Sequence, residues 1–213
     1  MSLSARGTYH RLAMNICVYC ASSSAVAHVY FEEIRNLGRE IARRGHRIIY
    51  GAGAIGLMGA LAAAARESGG EVVGVIPAFL NDMGLADPAL TSLHVTPDMR
   101  SRKQTMEDLA DAFIACPGGF GTLEEIFEVI TFKQLGRHAK ACVLLNTRGY
   151  FDPLIAQIDR GIAEHFIKPQ YHALFHVAKS PAEALDYIDK YQPRPLGEKW
   201  YSEADVQTEV GGG

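Results

Sequence analysis

The run Pro117-Gly118-Gly119-Phe120-Gly121-Thr122-Leu123-Glu124-Glu125 sets three glycines and a threonine directly ahead of two adjacent carboxylates. It follows an apolar run at 112–116 and opens an amphipathic pattern, so it reads as a strand end, a glycine-rich turn and a helix start. Such a turn aims unsatisfied backbone N–H groups and the positive end of a helix at one point, which suits a phosphate. One glycine is enough for a turn; three together point to a ligand pressed against the backbone. The carboxylates supply a means of acting on what is held. Thr122-x-x-Glu125 is also a capping box, in which Glu125 would bond back to the Thr122 N–H, and on pattern alone that role is slightly preferred.

A second reactive position lies upstream. Residues 99–110 read as a helix with Thr96 as its cap and Pro97 in its first turn. Its period places Met99, Met106, Leu109 and Ala110 on an apolar face with Arg102 among them, while Arg100, Gln104 and Glu107 point away. A guanidinium pushed inward needs an anion, either a protein carboxylate or a ligand, and the pattern favours neither. Lys103 stands beside it, toward the edge of the same face.

Two further strand ends carry candidate binding groups. Gly51-Ala52-Gly53-Ala54-Ile55-Gly56 is a literal G-x-G-x-x-G, but a dinucleotide site also needs an acidic residue at the end of the following strand. Val75-Ile76-Pro77-Ala78-Phe79 offers none, so the nicotinamide reading is weak, while close approach of a ligand to Gly51 and Gly53 stands. Gly59, one turn further, allows tight helix–sheet packing. Ser22, Ser23 and Ser24 either cap the next helix, their commonest role, or hydrogen-bond a phosphate, and Ser22 is kept as a phosphate candidate.

The elements that must position these residues are an alternation of short apolar runs and helical patterns. Strands are expected at 16–20, 47–50, 72–76, 93–95, 112–116, 141–145 and 175–178, with helices at 29–44, 57–68, 99–110, 122–135, 153–164 and 182–191. The runs are nearly continuous in hydrophobicity, as strands covered on both faces are. The fold class is therefore α/β: a Rossmann-like, doubly wound, mainly parallel sheet flanked by helices on both faces, with ligands at the carboxyl ends of its strands. A chain of 213 residues with 48% hydrophobic content accommodates one such domain. We place it at 15–192, between a disordered segment at 1–14 and a tail from 193 to 213 that carries Trp200 and Tyr201.

Composition excludes several classes of partner. A net charge of −3 with scattered Lys and Arg gives no basic stripe for nucleic acid. No apolar run is long enough to span a membrane, and the first residues lack a signal-peptide core, so a cytoplasmic location is expected. Cys17, Cys20, Cys116 and Cys142 lie in strand-like runs, and the Cys17-x-x-Cys20 pair has no matching second half-site. They read as small buried hydrophobes, with no metal site and no cofactor implied.

Pro117–Glu125 and Arg102-Lys103 together resemble the LONELY GUY (LOG) family of cytokinin riboside 5′-monophosphate phosphoribohydrolases, whose older label is "lysine decarboxylase-like". The P-G-G-x-G-T-x-x-E motif fits at every fixed position, and the resemblance runs from about residue 16 to about 178. Other blocks agree: Cys17-Val18-Tyr19-Cys20-Ala21-Ser22-Ser23, Tyr50–Gly59, and Gly74-Val75-Ile76-Pro77. The chain departs at Ala21 and Ala52, often glycine in the family, at Arg100, commonly histidine, and at Phe132, frequently tryptophan.

The resemblance implies hydrolysis of the N-glycosidic bond of AMP or an N6-substituted AMP, with Arg102 and Glu125 as the catalytic pair. It also implies that the glycine–threonine turn, Gly118, Gly119, Gly121 and Thr122, holds the phosphate; Ser22, Gly51, Gly53, Arg102 and Lys103 are the further substrate- or phosphate-binding candidates. Cleavage builds positive charge on the sugar, which a carboxylate stabilises. Near a helix N-terminus Glu125 is expected to stay ionised and to serve as base or electrostatic partner, whereas Arg102 is a poor proton donor and more plausibly orients phosphate, ribose or Glu125.

The alternative is a non-catalytic nucleotide- or phosphorylated-cofactor-binding protein of the same fold, which would have no need of the carboxylate. A pyridoxal enzyme would need a Schiff-base lysine, and Lys103 is poorly placed for it. A homodimer is expected from the resemblance. The helix at 122–135 supports it with two faces, one bearing Leu123, Ile126, Phe127 and Ile130, the other Glu125, Glu128 and Phe132.

Overall fold

The computed structural model describes residues 13–195. Seven strands, β1 (Asn15–Tyr19), β2 (Arg47–Tyr50), β3 (Val72–Pro77), β4 (Ser92–Thr96), β5 (Ala112–Ala115), β6 (Ala141–Leu145) and β7 (His176–Ala178), pair in parallel in the order β4-β3-β2-β1-β5-β6-β7. Parallel neighbours need crossovers, and helices provide them on both faces. On one face lie α1 (His28–Arg43), α2 (Gly56–Glu67) and α7 (Pro181–Lys190); on the other lie α4 (Met99–Leu109), α5 (Phe120–Gln134) and α6 (Asp152–Ala163). The two-residue period of β1 shows the division: Ile16 and Val18 enter the core under α1 and α2, while Cys17 and Tyr19 enter the one under α4 and α5.

The doubly wound expectation therefore holds, with differences at its edges. The side chains of β4 are exposed except for Thr96, because β4 is a sheet edge and no helix covers it as the inner strands are covered. A short α3 (Ala78–Asp82) and 3-10 turns at Thr147–Gly149 and Pro169–Leu174 were not foreseen. Just ahead of β1, the Met14 N–H donates to Nδ1 of His46. Trp200, Tyr201 and residues 1–12 lie outside the described residues.

Strand order locates the crevice. β1 pairs with β2 on one side and β5 on the other, so the chain reverses its direction of growth there, and the loops leaving β1 and β5 diverge to opposite faces. The Cys116 N–H donates to the Tyr19 carbonyl at 2.8 Å, tying the two loops at their base. The turn after β2 joins them: Gly56 has φ +63°, and a Cβ there would overlap the Ser22 carbonyl, so only glycine allows this approach. The Leu57 and Met58 N–H groups both donate to the Ala21 carbonyl. Those donors are the N-terminal groups of α2, which a dinucleotide pyrophosphate would require, so the G-x-G-x-x-G here builds the wall of a crevice and not a cofactor cradle.

Candidate active site

Arg102 is delivered by α4. The cap of that helix is Asp98, whose carboxylate accepts from the Ser101 N–H at 2.8 Å, and not Thr96 as the sequence suggested. β4 continues through Thr96, which leaves Pro97 outside the helix as a connector. Arg102 and Met106 are the buried residues of α4, while Met99 is exposed because it precedes the stretch that reaches the sheet. Arg102 is 8% exposed, and its guanidinium is held from three sides. Nε donates to the Val75 carbonyl at 3.0 Å, Nη1 donates to Oε1 of Glu125 at 2.9 Å, and Nη2 points at Gly51, where any Cβ would overlap it. Gly51 is therefore required by Arg102, whereas at Gly53 a Cβ would meet only the flexible end of the Met58 side chain.

Glu125 is delivered by α5, which begins at Phe120 with Gly119 as its cap. Thr122 is thus inside the first turn and buried, and the expected capping box does not form. The first bond of the helix runs from the Leu123 N–H to the Gly119 carbonyl, so the N–H groups of Phe120, Gly121 and Thr122 point out of its end. Gly118 is accounted for by packing, since a Cβ there would overlap Thr122. Gly119 and Gly121 are not: neither has positive φ, and a Cβ on either would meet nothing within 4 Å. Their missing side chains leave bare backbone open beside the helix end, as a ligand pressed against that backbone demands.

The two neighbouring glutamates have separate environments. The Glu125 side chain is 11% exposed and faces Arg102; that of Glu124 is 57% exposed and pairs with Lys103. Burial pushes the Glu125 carboxyl above the usual glutamate range, and the charge and hydrogen bond of Arg102 pull it back only in part. Desolvation thus opposes the stabilisation of the ionised form that the helix dipole was expected to give. Glu125 lies in the second turn, where that field has faded, and desolvation dominates.

The ammonium of Lys103 is held by Glu124 and Glu128 on the outer side of α5, and these partners raise its pKa against the effect of burial. A firmly protonated, ion-paired amine is a poor Schiff-base nucleophile. Phe127 points outward with Glu124 and Glu128, contrary to the expected apolar face; Phe132 shares that outer side with Glu128 as foreseen, but Glu125, expected there too, turns inward to Arg102. The serines after β1 do not cap α1, whose cap Ala27 makes no side-chain bond. Ser23 Oγ accepts from the Ala25 N–H, and Ser22 is left exposed at the rim. All four cysteines are free and buried, and burial raises each thiol pKa. Among the described residues no cluster of three or more His, Cys, Asp or Glu side chains is placed to hold a metal.

The sequence reading missed the Val75 carbonyl that orients Arg102, and Tyr150, whose hydroxyl donates to the Gly118 carbonyl. No residue-type signal marks a backbone acceptor, and a lone tyrosine in a loop has no spacing pattern to reveal it.

The chain is similar to known proteins over most of its length. A family described as "Possible lysine decarboxylase" matches residues 58–188. A cytokinin riboside 5′-monophosphate phosphoribohydrolase from Rhodococcoides fascians is 46% identical over 175 residues, covering 82% of this chain and 88% of that protein. The Arabidopsis thaliana enzyme of the same name, LOG5, is 38% identical over 196 residues, covering 90% and 86%. Among solved structures, the molybdenum cofactor binding protein of the phototrophic bacterium Rippkaea orientalis superimposes with a TM-score of 0.65 at 21% identity, covering 83% of this chain and 96% of that one. That likeness shows the shared fold alone.

The electrostatics of the pair give a titration test. In protein labelled with 13C at glutamate carboxyl groups, the Glu125 resonance, assigned by its loss in Glu125→Gln, is expected to titrate above the ordinary glutamate range. A carboxylate is favoured by a neighbouring cation, so Arg102→Ala should move the midpoint further up. A midpoint at or below the ordinary range, or a downward move in Arg102→Ala, would contradict this account of the pair.

Proposed function

The chain belongs to the family of cytokinin riboside 5′-monophosphate phosphoribohydrolases, and on that basis we propose that it hydrolyses the N-glycosidic bond of adenine nucleoside 5′-monophosphates, AMP or an N6-substituted AMP, to the free base and ribose 5-phosphate. The observation that carries this reading is the buried Arg102–Glu125 pair beside the open backbone of Gly119 and Gly121. A protein that only bound a phosphate would gain nothing from a desolvated carboxylate next to it, because the two charges repel.

In this reading the 5′-phosphate is bound by the outward N–H groups of Phe120, Gly121 and Thr122, with Gly118 and Gly119 shaping the turn and Ser22 at its rim. The ribose then lies toward Glu125. As the C1′–N9 bond breaks, its electron pair leaves with the base and positive charge develops on the sugar, where the Glu125 carboxylate opposes it. Water attacks C1′ and one of its protons passes to Glu125. A carboxyl whose pKa is raised by burial accepts that proton more readily than an ordinary glutamate. The departing base takes up a proton from solvent to leave as neutral adenine, and Glu125 returns its proton to solvent, so the cycle balances. Arg102 remains protonated throughout; it keeps Glu125 ionised before the step and fixed in direction during it. Gly51 and Gly53 contribute by leaving room for Arg102 and Met58, and Lys103 by neutralising Glu124 and Glu128.

Residues 15–192 form the catalytic domain in this reading. The protein acts as a homodimer: Ile55, Phe79, Met83 and Leu85 are exposed apolar side chains in segments joined by the Gly53–Ala86 bridge, and Phe127 is exposed on α5. No helix among the described residues is long and apolar enough to cross a membrane. The four free thiols fit a reducing compartment, and the cytoplasm is the location proposed; recovery of these thiols in oxidised form from cells would argue against it.

With AMP and N6-substituted AMP as substrates and released base measured by chromatography, Glu125→Gln and Arg102→Ala should each lose at least about 100-fold in turnover. Glu124→Gln, altering an exposed side chain, should stay within about threefold of wild type. Wild-type turnover in both of the first two variants would refute the assignment. Sedimentation velocity should give a single species at twice the 23.2 kDa chain mass, and a purely monomeric boundary would remove the dimer.

A further inference from the structure

The glycine turn that forms the anion cradle has a side-chain anchor from outside it. The Tyr150 hydroxyl donates to the Gly118 carbonyl at 2.7 Å. Gly118 and Gly119 share one peptide unit, and among the described residues no peptide is cis. In a planar trans peptide the carbonyl and the N–H point in opposite directions, so fixing the Gly118 C=O also fixes the direction of the Gly119 N–H. Two consecutive glycines otherwise leave this unit free to rotate, since neither side chain restricts it.

The loop that presents Tyr150 is fastened at several points. Asn146 donates its backbone N–H to the Ala178 carbonyl at 2.8 Å, joining the loop to β7. Its side chain accepts from the Phe151 N–H at 2.7 Å and donates to Asp152 at 2.7 Å. Arg148 and Gly149 both adopt left-handed φ, of 56° and 72°, reversing the chain within two residues. Phe151 is thereby buried in the core below α6, and Tyr150 is turned the other way, toward the glycine turn. The ring packs edge-on against Tyr30 and Phe151 at centroid distances of 6.1 and 5.2 Å. Tyr150 is 42% exposed, so core filling does not account for it, and its hydroxyl has a defined bond to make.

We propose that Tyr150 is a positioning residue for the reaction: it locks the Gly118–Gly119 peptide so that the Gly119 N–H remains aimed at the substrate phosphate alongside the free N–H groups of α5. The inference rests on the phosphate-cradle reading given above. It assigns the β6–α6 loop a role in binding the phosphate, a role that acts in the ground state and the transition state alike. Loss of the hydroxyl therefore weakens binding more than it slows the chemical step.

Tyr150→Phe keeps the ring and removes only the donor, whereas Tyr150→Leu removes both. Calorimetry with ribose 5-phosphate, with ribose and with adenosine, alongside steady-state kinetics on AMP, separates the contributions. In Tyr150→Phe the affinity for ribose 5-phosphate and the KM for AMP should worsen about five- to tenfold, with kcat within about twofold of wild type. Adenosine, which has no phosphate, should bind to Tyr150→Phe as it does to wild type. Unchanged ribose 5-phosphate binding in Tyr150→Phe, with loss only in Tyr150→Leu, would show that the ring and not the hydroxyl matters and would overturn the proposal. Equal weakening of adenosine and ribose 5-phosphate would overturn it too, as the mark of a general structural defect. If wild-type protein failed to prefer ribose 5-phosphate over ribose, the cradle itself would be refuted, and the role of Tyr150 with it.

Discussion

Burying a guanidinium and a carboxylate costs several kcal/mol for each ion, and their mutual attraction offsets that cost only when the geometry is good and their remaining hydrogen-bonding groups are met. The Arg102–Glu125 pair meets these terms by drawing on three other parts of the chain. The Val75 carbonyl takes Nε, Gly51 surrenders its side chain to make room, and α4 and α5 bring the two residues together from separate strand ends. An apolar pair of similar volume would stabilise the fold about as well. The pair is best understood as a functional expense that the surrounding structure is arranged to carry.

The same arrangement sets the chemistry. Burial alone would drive Glu125 toward its neutral form, and Arg102 alone would hold it as a weakly basic anion. Together they leave a carboxylate that is charged enough to oppose a developing cation and basic enough to take a proton from water. Topology contributes the location: the reversal of strand order at β1 opens the crevice between the loops after β1 and β5, and α5 starts at its edge with three N–H groups unbonded. The phosphate end and the carboxylate end of the site are therefore two turns of one helix, separated by a fixed rise.

Much of this was legible in the sequence because the signals were periodic. The parallel sheet followed from apolar runs alternating with helical patterns, and the inward Arg102 followed from its place among Met106 and Ala110. The choice of Glu125 over Glu124 is consistent with their different burial. Other features were hidden by competing patterns of equal quality. Leu123, Ile126, Phe127 and Ile130 make a plausible apolar stripe, but the buried stripe is Thr122, Ile126, Val129 and Lys133. Its polar ends disguised it: Lys133 is buried because its ammonium donates to the Leu174 carbonyl and lies over the Tyr191 ring. The cap of α4 was misplaced because Thr96-Pro97 matches a helix-start pattern that Asp98 matches one residue pair later. Contacts between distant segments, such as Tyr150 with Gly118, leave no local pattern at all.

If the buried pair works as one device, removing either member should disable it, and removing the second should add little. A double-mutant cycle on kcat for base release, using wild type, Arg102→Ala, Glu125→Gln and the double variant at saturating AMP, measures this directly. The account expects the double variant to be about as slow as the slower single variant. Losses that multiply, so that the double variant falls by the product of the two single effects, would mean that Arg102 and Glu125 act independently and that the pair is not the centre of the site.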